Sequence, residues 1–546
     1  MASSARVGTW ASLKAAASSR RIGAVTLQSF SSGLPLGLVW IALPAFLTYR
    51  GVDIKTVGLF SLAQAPWSFK FLWSPLMDRY GPRFGSMGRR RSWILVCQAL
   101  LMVGILGLAA WSGADVGVIA GLAFFIAFAS ASQDIVIDAY AVEVLERSEQ
   151  GVAVGARNAL ARSAVLVAGA LTITTGQRLG WSPVFTVLAL LFVPLAGVVL
   201  WSPEPEAAVL PPLSLRRAVF DPLIELFRRS GALPILGFLV LYKFGENLAT
   251  ALIRPFLIQK CYLPEDVGVG TATIGLIALI VGAFIGGVAT DRIGLTRSLW
   301  LFGVIQAVGF LGYVMVDQLT PGSPCAGGVV GAVVQPLSHR VVMLASIGVE
   351  NLCQGMATGA FGVMLLRMTQ KQFSATQYAL FSSIFAVGRI VTGPIAGFTA
   401  DAIGWTPFYL VATAASIPGL LLLQRFAPIG GREPALDALE PAEAQPVTRL
   451  RLAGSATVCA VVGFASTLGL SALLAALKTA RAHPGAGVDV AAAVARALAP
   501  VQVSDWLRLT AFAVVGLVSG TAAAAFLVAR HGVQAPSPPG GGRGLE

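Results

Sequence analysis

Long apolar runs of about 20 residues recur along the whole chain, and short polar segments separate them. A helix rises about 1.5 Å per residue, so each run can cross roughly 30 Å of membrane hydrocarbon. The pattern predicts about fourteen membrane-spanning helices, and therefore an all-α polytopic membrane protein. Their predicted bounds are 22–48, 57–76, 92–112, 116–140, 152–175, 183–201, 232–257, 269–290, 297–316, 341–366, 375–400, 406–424, 454–477 and 507–529.

The composition agrees with this interpretation. The chain is 56% hydrophobic and only 12% charged, and its mean hydropathy is +0.76, whereas a soluble domain carries about 25% charged residues. The net charge of +13 would suit a nucleic-acid-binding protein, but the basic residues concentrate in alternate loops. That distribution is typical of the cytoplasmic loops of membrane proteins. We therefore expect the lipid bilayer, and no nucleic acid, as a partner.

The basic loops also predict the orientation of the chain. They contain Arg20 and Arg21, the stretch from Arg79 to Arg91, the stretch from Arg216 to Arg229, Arg292 with Arg297, Arg367 with Lys371, and Arg425 with Arg432. If these loops are cytoplasmic, both termini lie inside the cell. Residues 478–505 disagree, because this predicted outer loop also carries basic side chains. The apolar run after residue 21 is too long for a signal peptide, so we interpret the N-terminus as a cytoplasmic tail.

Two carboxylates, Asp134 and Asp138, lie one helical turn apart in the fourth predicted span. An ionisable side chain at the bilayer centre costs roughly 3 kcal/mol or more, so such residues normally face a watery, protein-lined pathway. The spacing places both carboxylates on one helix face. The alternative is a helix end at which Asp138 pairs with Arg157 or Arg162. The first interpretation favours transport as the function.

A short motif occurs twice, at matching points of two six-span groups. Asp78-Arg79-Tyr80-Gly81 follows the second span, and Asp291-Arg292-Ile293-Gly294 follows the eighth. The repetition indicates an internal duplication. In both places the motif resembles the signature loop of the major facilitator superfamily, although the first copy has Ser74 where glycine is common and a small insert before the arginine cluster. The resemblance implies gating or structural roles for the charged residues of these loops, which are Asp78, Arg79, Arg89, Arg90, Asp291 and Arg292.

This resemblance implies a major facilitator fold of two six-helix bundles that rock around a central site. The predicted parts are a cytoplasmic N-terminal tail (1–21), an N-terminal six-helix bundle (22–201), a cytoplasmic interdomain loop (202–231), a C-terminal six-helix bundle (232–424), a linker (425–453), two additional C-terminal transmembrane helices (454–529) and a disordered tail (530–546). A Gly- and Pro-rich insert at 318–338 is predicted to be an outer loop without an assigned role.

Several further stretches narrow the family. They are FSSGLPLGL at 30–38, FKFLWSPLMDRYGP at 69–82, SASQDIVIDAY at 130–140, YKFGENLA at 242–249, ENLCQGMATGAF at 350–361 and FSATQYALFSSIFAVGR at 373–389. Together these resemble the AmpG family of muropeptide permeases. That family implies proton-driven import of N-acetylglucosaminyl-anhydro-N-acetylmuramyl peptides across the bacterial inner membrane for peptidoglycan recycling. Acetyl-CoA transporters share parts of the motifs, so another substrate remains an alternative.

A muropeptide presents hydroxyls, N-acetyl groups and carboxylates, so its site should offer amides, hydroxyls and a cation between apolar walls. The predicted spans contain suitable residues: Gln28, Ser32, Gln64, Gln133, Lys243, Glu246, Asn247, Asn351, Gln354 and Arg389. Three alternatives stay open. Lys243 and Glu246 can neutralise each other, Lys70 can extend to the membrane surface, and Arg389 can pair with a carboxylate.

Proton coupling can be assigned by elimination. The three histidines, His339, His483 and His531, fall outside the predicted spans. Intramembrane carboxylates must therefore carry the protons. We expect Asp134 or Asp138 to do so, and Glu350 is the next candidate.

The five cysteines have no metal-ligand spacing, and we expect neither metal nor cofactor. Cys261 and Cys325 both fall on the predicted outer side, as two free thiols or as one disulfide.

Other functions receive less support from the sequence. Drug antiporters of the superfamily carry a glycine-proline motif in the fifth span, and ARSAVLVAGALTITTG contains no proline. A membrane enzyme is disfavoured, because H-E-x-x-H, G-x-S-x-G and P-loop motifs do not occur. A non-transporting sensor would have nearly the same sequence. We expect a monomer whose partners are a small-molecule substrate and protons.

Overall fold

A computed structural model of the chain provides the architecture. It describes residues 19–52, 63, 65–82, 84–85, 87–205, 212, 214–228, 232–319, 335–431, 433–434, 447–482, 487–501 and 503–531. Gln64, Cys325, His483, most of the insert at 318–338 and nearly all of both predicted tails lie outside the described residues.

The first half of the chain forms seven helices and helical segments up to residue 201. They are α1 (Arg20–Tyr49), α2 (Ala65–Phe69), α3 (Ser74–Arg79), α4 (Arg89–Ala110), α5 (Val116–Val144), α6 (Gln150–Leu179) and α7 (Trp181–Trp201). Helices α1 and α6 each contain a short π-helical segment, at Leu38–Ala42 and Val167–Leu171. These two segments contact each other, so the irregular parts of α1 and α6 form one packing unit.

The second half begins with α8 (Leu215–Arg228), which lies within the segment predicted to be the interdomain loop. The six helices of the second bundle follow: α9 (Ala232–Gln259), α10 (Glu265–Ile293), α11 (Leu295–Leu319), α12 (Leu337–Met368), α13 (Ser374–Ile403) and α14 (Trp405–Phe426). Three more helices complete the chain: α15 (Arg449–Ala482), α16 (Val490–Leu498) and α17 (Val503–His531).

Twelve helices of the described residues are long and apolar enough to cross a membrane, ten in the two bundles and two within α15 and α17. The sequence predicted about fourteen. The second predicted span is described only from residue 63 onward and is broken into α2, a 3₁₀ turn and α3. Helix α13 is 30 residues long and covers the predicted span at 375–400, and the side chains of part of it lie outside the described residues. The all-α membrane fold of two six-helix bundles is confirmed.

Single glycines join several consecutive helices. Gly180 links α6 to α7, Gly294 links α10 to α11, and Gly404 links α13 to α14, with φ values of 90°, 92° and 78°. Glycine adopts this left-handed conformation without steric cost, so the chain can reverse direction at one residue. Gly180 and Gly404 occupy matching places, between the last two helices of each bundle, and Gly294 is the last residue of the second signature loop.

The two bundles meet along two seams. Helix α6 packs against α10 and α12, and α13 packs against α2, α3 and α5. Each bundle also has its own apolar core. The first is built around Phe46, Phe185 and Ile105, and the second around Phe256, Tyr313 and Tyr409.

The chain divides into two compact units. The first comprises residues 1–218 and 233–435 and contains both bundles. The second comprises residues 219–232 and 436–546. Within the second unit, α15 packs along α17, and Phe227 of α8 contacts Phe526 of α17 edge to face, with ring centroids 5.5 Å apart. Membrane crossing by α15 and α17 stays a prediction.

Cys261 is disulfide-bonded, and its partner lies outside the described residues. The alternative of two free thiols at Cys261 and Cys325 was therefore wrong. Cys97, Cys353 and Cys459 are free.

Candidate functional site

Asp134 and Asp138 occupy a distinct position on α5. From Ala129 to Leu145 every residue of this segment is buried except these two carboxylates, which are partly accessible. Because they are spaced by four residues, they lie on one helix face. That face therefore lines accessible space inside the molecule, while the rest of the segment packs against other helices.

Three helical elements bring partners to these carboxylates. Arg157 of α6 donates to Asp138 at 2.5 Å, and Lys70 lies 3.5 Å from the same carboxylate. Ser32 of α1 donates to Asp134. We call this set of Ser32, Lys70, Asp134, Asp138 and Arg157 the α5 cluster. Lys70 is 7% exposed, so it does not extend to the membrane surface.

The α5 cluster has balanced formal charges, but its two carboxylates differ. Asp138 contacts two cations directly. Asp134 receives a hydroxyl donor and interacts with Lys70 and Arg157 only over longer distances. Tyr378 of α13 lies beside Arg157, so a side chain of the second bundle reaches this cluster.

Two predicted binding amides of the first bundle pack between helices. Gln28 donates to Ser202 at 2.7 Å, and Gln133 donates to Ser31 at 2.5 Å. Both glutamines are completely buried. They lie away from the accessible face of α5 in this conformation, and each keeps a side-chain oxygen without a protein partner.

The second bundle has a cluster of its own around Glu246. Lys243 donates to Glu246 and, at 2.9 Å, to Thr358. Gln306 and Gln354 also donate to Glu246, the latter at 2.7 Å. We call this set of Lys243, Glu246, Gln306, Gln354 and Thr358 the α9 cluster. The ion pair that the sequence left as an alternative is present, and it is surrounded by neutral donors.

Glu350 lies near this cluster, and its described direct partners are neutral. Its carboxylate accepts from Tyr313 at 3.3 Å and from Asn351 at 2.9 Å, and the side chain is 1% exposed. Its second oxygen has no partner among the described protein atoms. A buried carboxylate with only neutral donors is costly in its charged form, so Glu350 is suited to bind a proton.

A polar stripe on α12 faces the first bundle. Asn351, Gln354 and Thr358 are spaced by three and four residues and are all partly accessible, so they share one face. Gly362, one turn further, packs on Val154 of α6. The stripe therefore runs along the space between the bundles and ends at their seam. Asn247 is buried, and the side chain of Arg389 lies outside the described part of α13.

The first signature loop binds the opposite bundle through Asp78. This carboxylate accepts from the backbone N–H groups of Ala375 and Thr376 at 3.2 and 2.8 Å, and from the Thr376 hydroxyl at 2.6 Å. Those groups form the first turn of α13, where unpaired N–H groups and the helix dipole favour an anion. Arg90 donates to Asp78 at 2.7 Å, to Glu143 and to Ser374. We call these contacts the first lock.

The second signature loop makes a looser version of the same contact. Asp291 accepts from the N–H groups of Gly151 and Val152, in the first turn of α6, at 3.2 and 3.3 Å. Arg367 lies 3.5 Å from Asp291. We call these contacts the second lock. Its helices cross closely, because a Cβ atom on Gly287 would meet the carbonyl of Gly151.

The other predicted loop residues take supporting positions. Arg89 donates to the backbone carbonyl of Asp78 at 2.5 Å. Arg79 lies over the ring of Tyr80, and Arg292 is exposed at the end of α10. In the first loop it is thus Arg90, and not the arginine of the repeated motif, that pairs with the motif aspartate.

The described polar contacts between the bundles, those of the two locks and of Tyr378 with Arg157, lie in the half that carries the signature loops. At the opposite end the described contacts stay inside one bundle: Arg50 donates to the carbonyls of Gly113 and Ala114, and Lys260 pairs with Asp317 at 2.5 Å. The locks therefore close the central space at one end only.

The sequence did not single out several residues of this arrangement. Glu143, Ser374 and Thr376 complete the first lock, while Gln306, Thr358 and Tyr313 complete the polar groups of the second bundle. Glu143 sits near the end of a predicted span, a position where a buried carboxylate is a detectable signal. Thr358 lies at helical spacing from the predicted residues Asn351 and Gln354, which is also a signal, whereas Ser374, Thr376, Gln306 and Tyr313 are revealed only by their neighbours.

Solved structures share this architecture. A transporter of the superfamily, FucP in its outward conformation, has a TM-score of 0.54 at 13% identity, with 74% of this chain and 97% of that chain covered. The human organic anion transporter MFSD10 has a TM-score of 0.54 at 15% identity and covers 74% of this chain and 99% of its own. At these identities the likeness concerns the fold alone.

The sequence comparisons identify the family. The Major Facilitator Superfamily model matches residues 25–338, more than half of the chain, so the two bundles and their locks belong to a membrane transporter of that superfamily. An anhydromuropeptide permease of Escherichia coli K12 is 41% identical over 406 residues, 74% of this chain and 79% of the relative. A putative transporter AmpG 4 of Rickettsia conorii is 26% identical over 74% and 95%. The chain belongs to the AmpG family of muropeptide permeases, and it is a permease and not an enzyme.

Proposed function

We propose that this permease imports anhydro-muropeptides from the periplasm to the cytoplasm in symport with protons, for peptidoglycan recycling. It would do so in the bacterial inner membrane by alternating access. The main support is the pair of facing polar surfaces, the α5 cluster and the α12 stripe, in a space closed at one end only. The E. coli relative, named as an anhydromuropeptide permease, supports the choice of substrate.

The chemistry of the two surfaces suits such a substrate. The α5 cluster offers two cations for carboxylates, and the α12 stripe offers two amides and a hydroxyl for sugar hydroxyls and N-acetyl groups. A polar ligand of this size needs donors and acceptors on both sides, which two facing bundles supply.

The direction rests on the distribution of basic residues. The signature loops and the loops beside them carry the arginine clusters, which favour the cytoplasmic side. The closed end is then cytoplasmic and the open end periplasmic, and the N-terminus lies in the cytoplasm. Import requires both locks to release, so that the substrate can leave on the cytoplasmic side.

Proton coupling is assigned to Asp134. Asp138 contacts two cations directly, whereas the described direct partner of Asp134 is a hydroxyl. A proton on Asp134 changes the formal charge of the α5 cluster from zero to +1, which favours an anionic substrate. A membrane potential of 100 mV supplies about 2.3 kcal/mol per proton, enough to concentrate a substrate tens of times over.

The test is uptake of radiolabelled anhydro-muropeptide into proteoliposomes with and without an inward proton gradient. We expect accumulation that a protonophore abolishes. Asp134→Asn should lose accumulation and keep exchange of labelled for unlabelled substrate, because exchange needs no net proton transfer. Asp115→Asn, a change in the exposed residue that precedes α5, is the matched control and should transport normally.

Three outcomes would contradict parts of the proposal. Accumulation by Asp134→Asn would remove Asp134 as the proton site and turn attention to Glu350. Uptake that ignores the gradient would contradict symport. No uptake or exchange by well-incorporated wild-type protein would exclude muropeptide as the substrate, and coenzyme A thioesters would be tested next.

A further inference from the structure

The amides of the α12 stripe lie between buried carboxylates on one side and the space between the bundles on the other. Asn351 and Gln354 are both partly accessible and lie one turn apart on one helix face. Behind them, Glu350 is 1% exposed and Glu246 is 8% exposed. A side-chain amide has a donor end, the NH2 group, and an acceptor end, the carbonyl oxygen. The end that each amide turns to a substrate therefore depends on its neighbours inside the second bundle.

The NH2 group of Gln354 is directed into the second bundle. It donates to Glu246 at 2.7 Å. The same carboxylate also accepts from Lys243 and Gln306, so three donors surround it. If the Gln354 amide were reversed, its carbonyl oxygen would face a carboxylate oxygen, and the two acceptors would repel each other. The hydrogen-bond network thus determines the orientation of this amide.

The NH2 group of Asn351 is directed into the second bundle as well. It donates to the backbone carbonyl of Ile347 and to Glu350, each at 2.9 Å. A Cβ atom on Gly275 of α10 would lie 3.1 Å from this nitrogen, so α10 packs against the same side of the amide. Because the carbonyl of Ile347 can only accept, this orientation does not depend on whether Glu350 carries a proton.

The carbonyl oxygens are the ends that remain for a substrate. Within the described part of the chain, no protein group donates to the side-chain oxygen of Asn351 or of Gln354. An accessible acceptor of this kind binds a donor from water or from a ligand. A ligand hydroxyl satisfies it, whereas a carboxylate adds only a further acceptor. The α5 cluster, with Lys70 and Arg157, has the opposite chemistry.

We propose that Asn351 and Gln354 form an acceptor pair that binds sugar hydroxyls of the substrate and disfavours its carboxylates. Glu246 is a positioning residue, because it directs the donor end of Gln354 away from the substrate. The inference rests on the proposed function. It adds two specificity-determining residues and an orientation of the substrate, with the sugars on the second bundle and the carboxylates of the peptide on the first.

The experiment compares initial uptake rates in proteoliposomes for three forms of a disaccharide muropeptide. These are the parent compound, analogues in which one sugar hydroxyl at a time is replaced by fluorine, and analogues in which the same hydroxyl is replaced by an amino group. Fluorine cannot donate, and a protonated amine donates but cannot accept. At a hydroxyl that contacts the pair, fluorine should raise the wild-type KM about fivefold, as expected for loss of one neutral hydrogen bond. The amino analogue at that position should have a KM no higher than that of the parent.

The variants assign this difference to the pair. Gln354→Met and Asn351→Leu each remove one acceptor, so each should abolish the difference between fluoro and amino analogues at the hydroxyl that the residue contacts. Glu246→Gln allows the Gln354 amide to reverse, so it should reduce the difference at the Gln354 position, which a purely structural role of Glu246 would not do. Gln318→Met, at the exposed end of α11, is the matched control and should leave every KM unchanged.

Three results would overturn the inference. They are amino analogues with a raised KM beside fluoro analogues with an unchanged KM, a wild-type panel without any difference, and wild-type ratios in both Gln354→Met and Asn351→Leu. If a variant does not fold, the wild-type panel decides alone whether the stripe presents acceptors. In each of these cases uptake of the parent compound upholds the proposed function. If wild-type protein does not transport the parent compound, the proposed function and this inference fail together.

Discussion

Two carboxylates one turn apart on α5 meet different surroundings. Asp138 contacts Arg157 and Lys70, and Asp134 contacts the Ser32 hydroxyl. The same spacing on the same helix thus places one carboxylate beside two cations and the other beside a hydroxyl. Helix geometry explains their shared face, but only the neighbouring helices explain their different surroundings.

Asp138→Asn should destabilise the protein, because Lys70 and Arg157 would be left as two partly buried cations without their anion. The expected loss is roughly 1–3 kcal/mol. It is measured as a lower apparent Tm of the purified protein in detergent. Asp134→Asn should leave that Tm nearly unchanged, since it removes no direct ion pair. Equal losses for both variants would contradict the difference that we assign to the two residues.

At the scale of single residues, the sequence predicted that Asp134 and Asp138 share one accessible face of α5. It also predicted that Glu246 and Glu350 lie within membrane spans. It left open whether Lys243 pairs with Glu246 and whether Lys70 reaches the surface. Both questions depend on how neighbouring helices are rotated and shifted relative to each other. Hydrophobic periodicity within one helix contains no information on that register.

At the scale of elements, the seam between α6 and α10 depends on glycines, which have no side chain. Gly151 and Gly287 bring the two backbones into contact beside the second lock. Small residues allow such close approach between membrane helices. In the proposed transport cycle this seam opens when the locked end opens, so its closeness affects the balance between the two states.

Gly287→Val should favour the state in which the seam is open, because its side chain would overlap the Gly151 carbonyl. Spin labels can be attached at Gly113→Cys and Gln259→Cys, on the outer ends of the two bundles. Their distance, measured by double electron–electron resonance, should then become shorter. Gly121→Val is the control, since a Cβ atom at Gly121 has no neighbour within 4 Å. An unchanged distance distribution in Gly287→Val would contradict a closed seam in the resting protein.

The helices could be predicted from the sequence where an apolar run is long, and less well elsewhere. The bounds of α4, α5 and α12 follow apolar runs seen in the sequence. Helix α8 lies in a segment interpreted as a loop because of its proline and arginines, and its helical form depends on apolar residues such as Phe227 that pack within the second unit. The breaks of the second span depend on tertiary contacts in the same way.

At the scale of the whole molecule, the two locks are unequal. Asp78 is completely buried and accepts from two backbone N–H groups, one hydroxyl and Arg90. Asp291 accepts two longer backbone hydrogen bonds, and Arg367 lies 3.5 Å away. The repeat seen in the sequence is therefore a repeat of position and chemistry, while the strength of each contact depends on residues outside the motif.

Asp78→Asn should shift the molecule toward the inward-open state more than Asp291→Asn does. Loss of charge-assisted hydrogen bonds worth roughly 1.5–3 kcal/mol changes a two-state ratio about tenfold or more. The same pair of spin labels on the outer ends reports this ratio as the fraction of short distances. A larger effect of Asp291→Asn would contradict the order of strength that we infer from the hydrogen bonds.

The single-glycine turn at Gly180 has a mechanical consequence for the whole molecule. Because one residue joins α6 to α7, these two helices cannot slide far past each other, and they should move as one stiff arm. The arm from Gly155 to the end of α6 is about 36 Å long. A small tilt about the contact between Gly155 and α10 therefore becomes a displacement of many ångströms at the far end of α6. A contact made by glycine can thus control the width of a passage for a disaccharide.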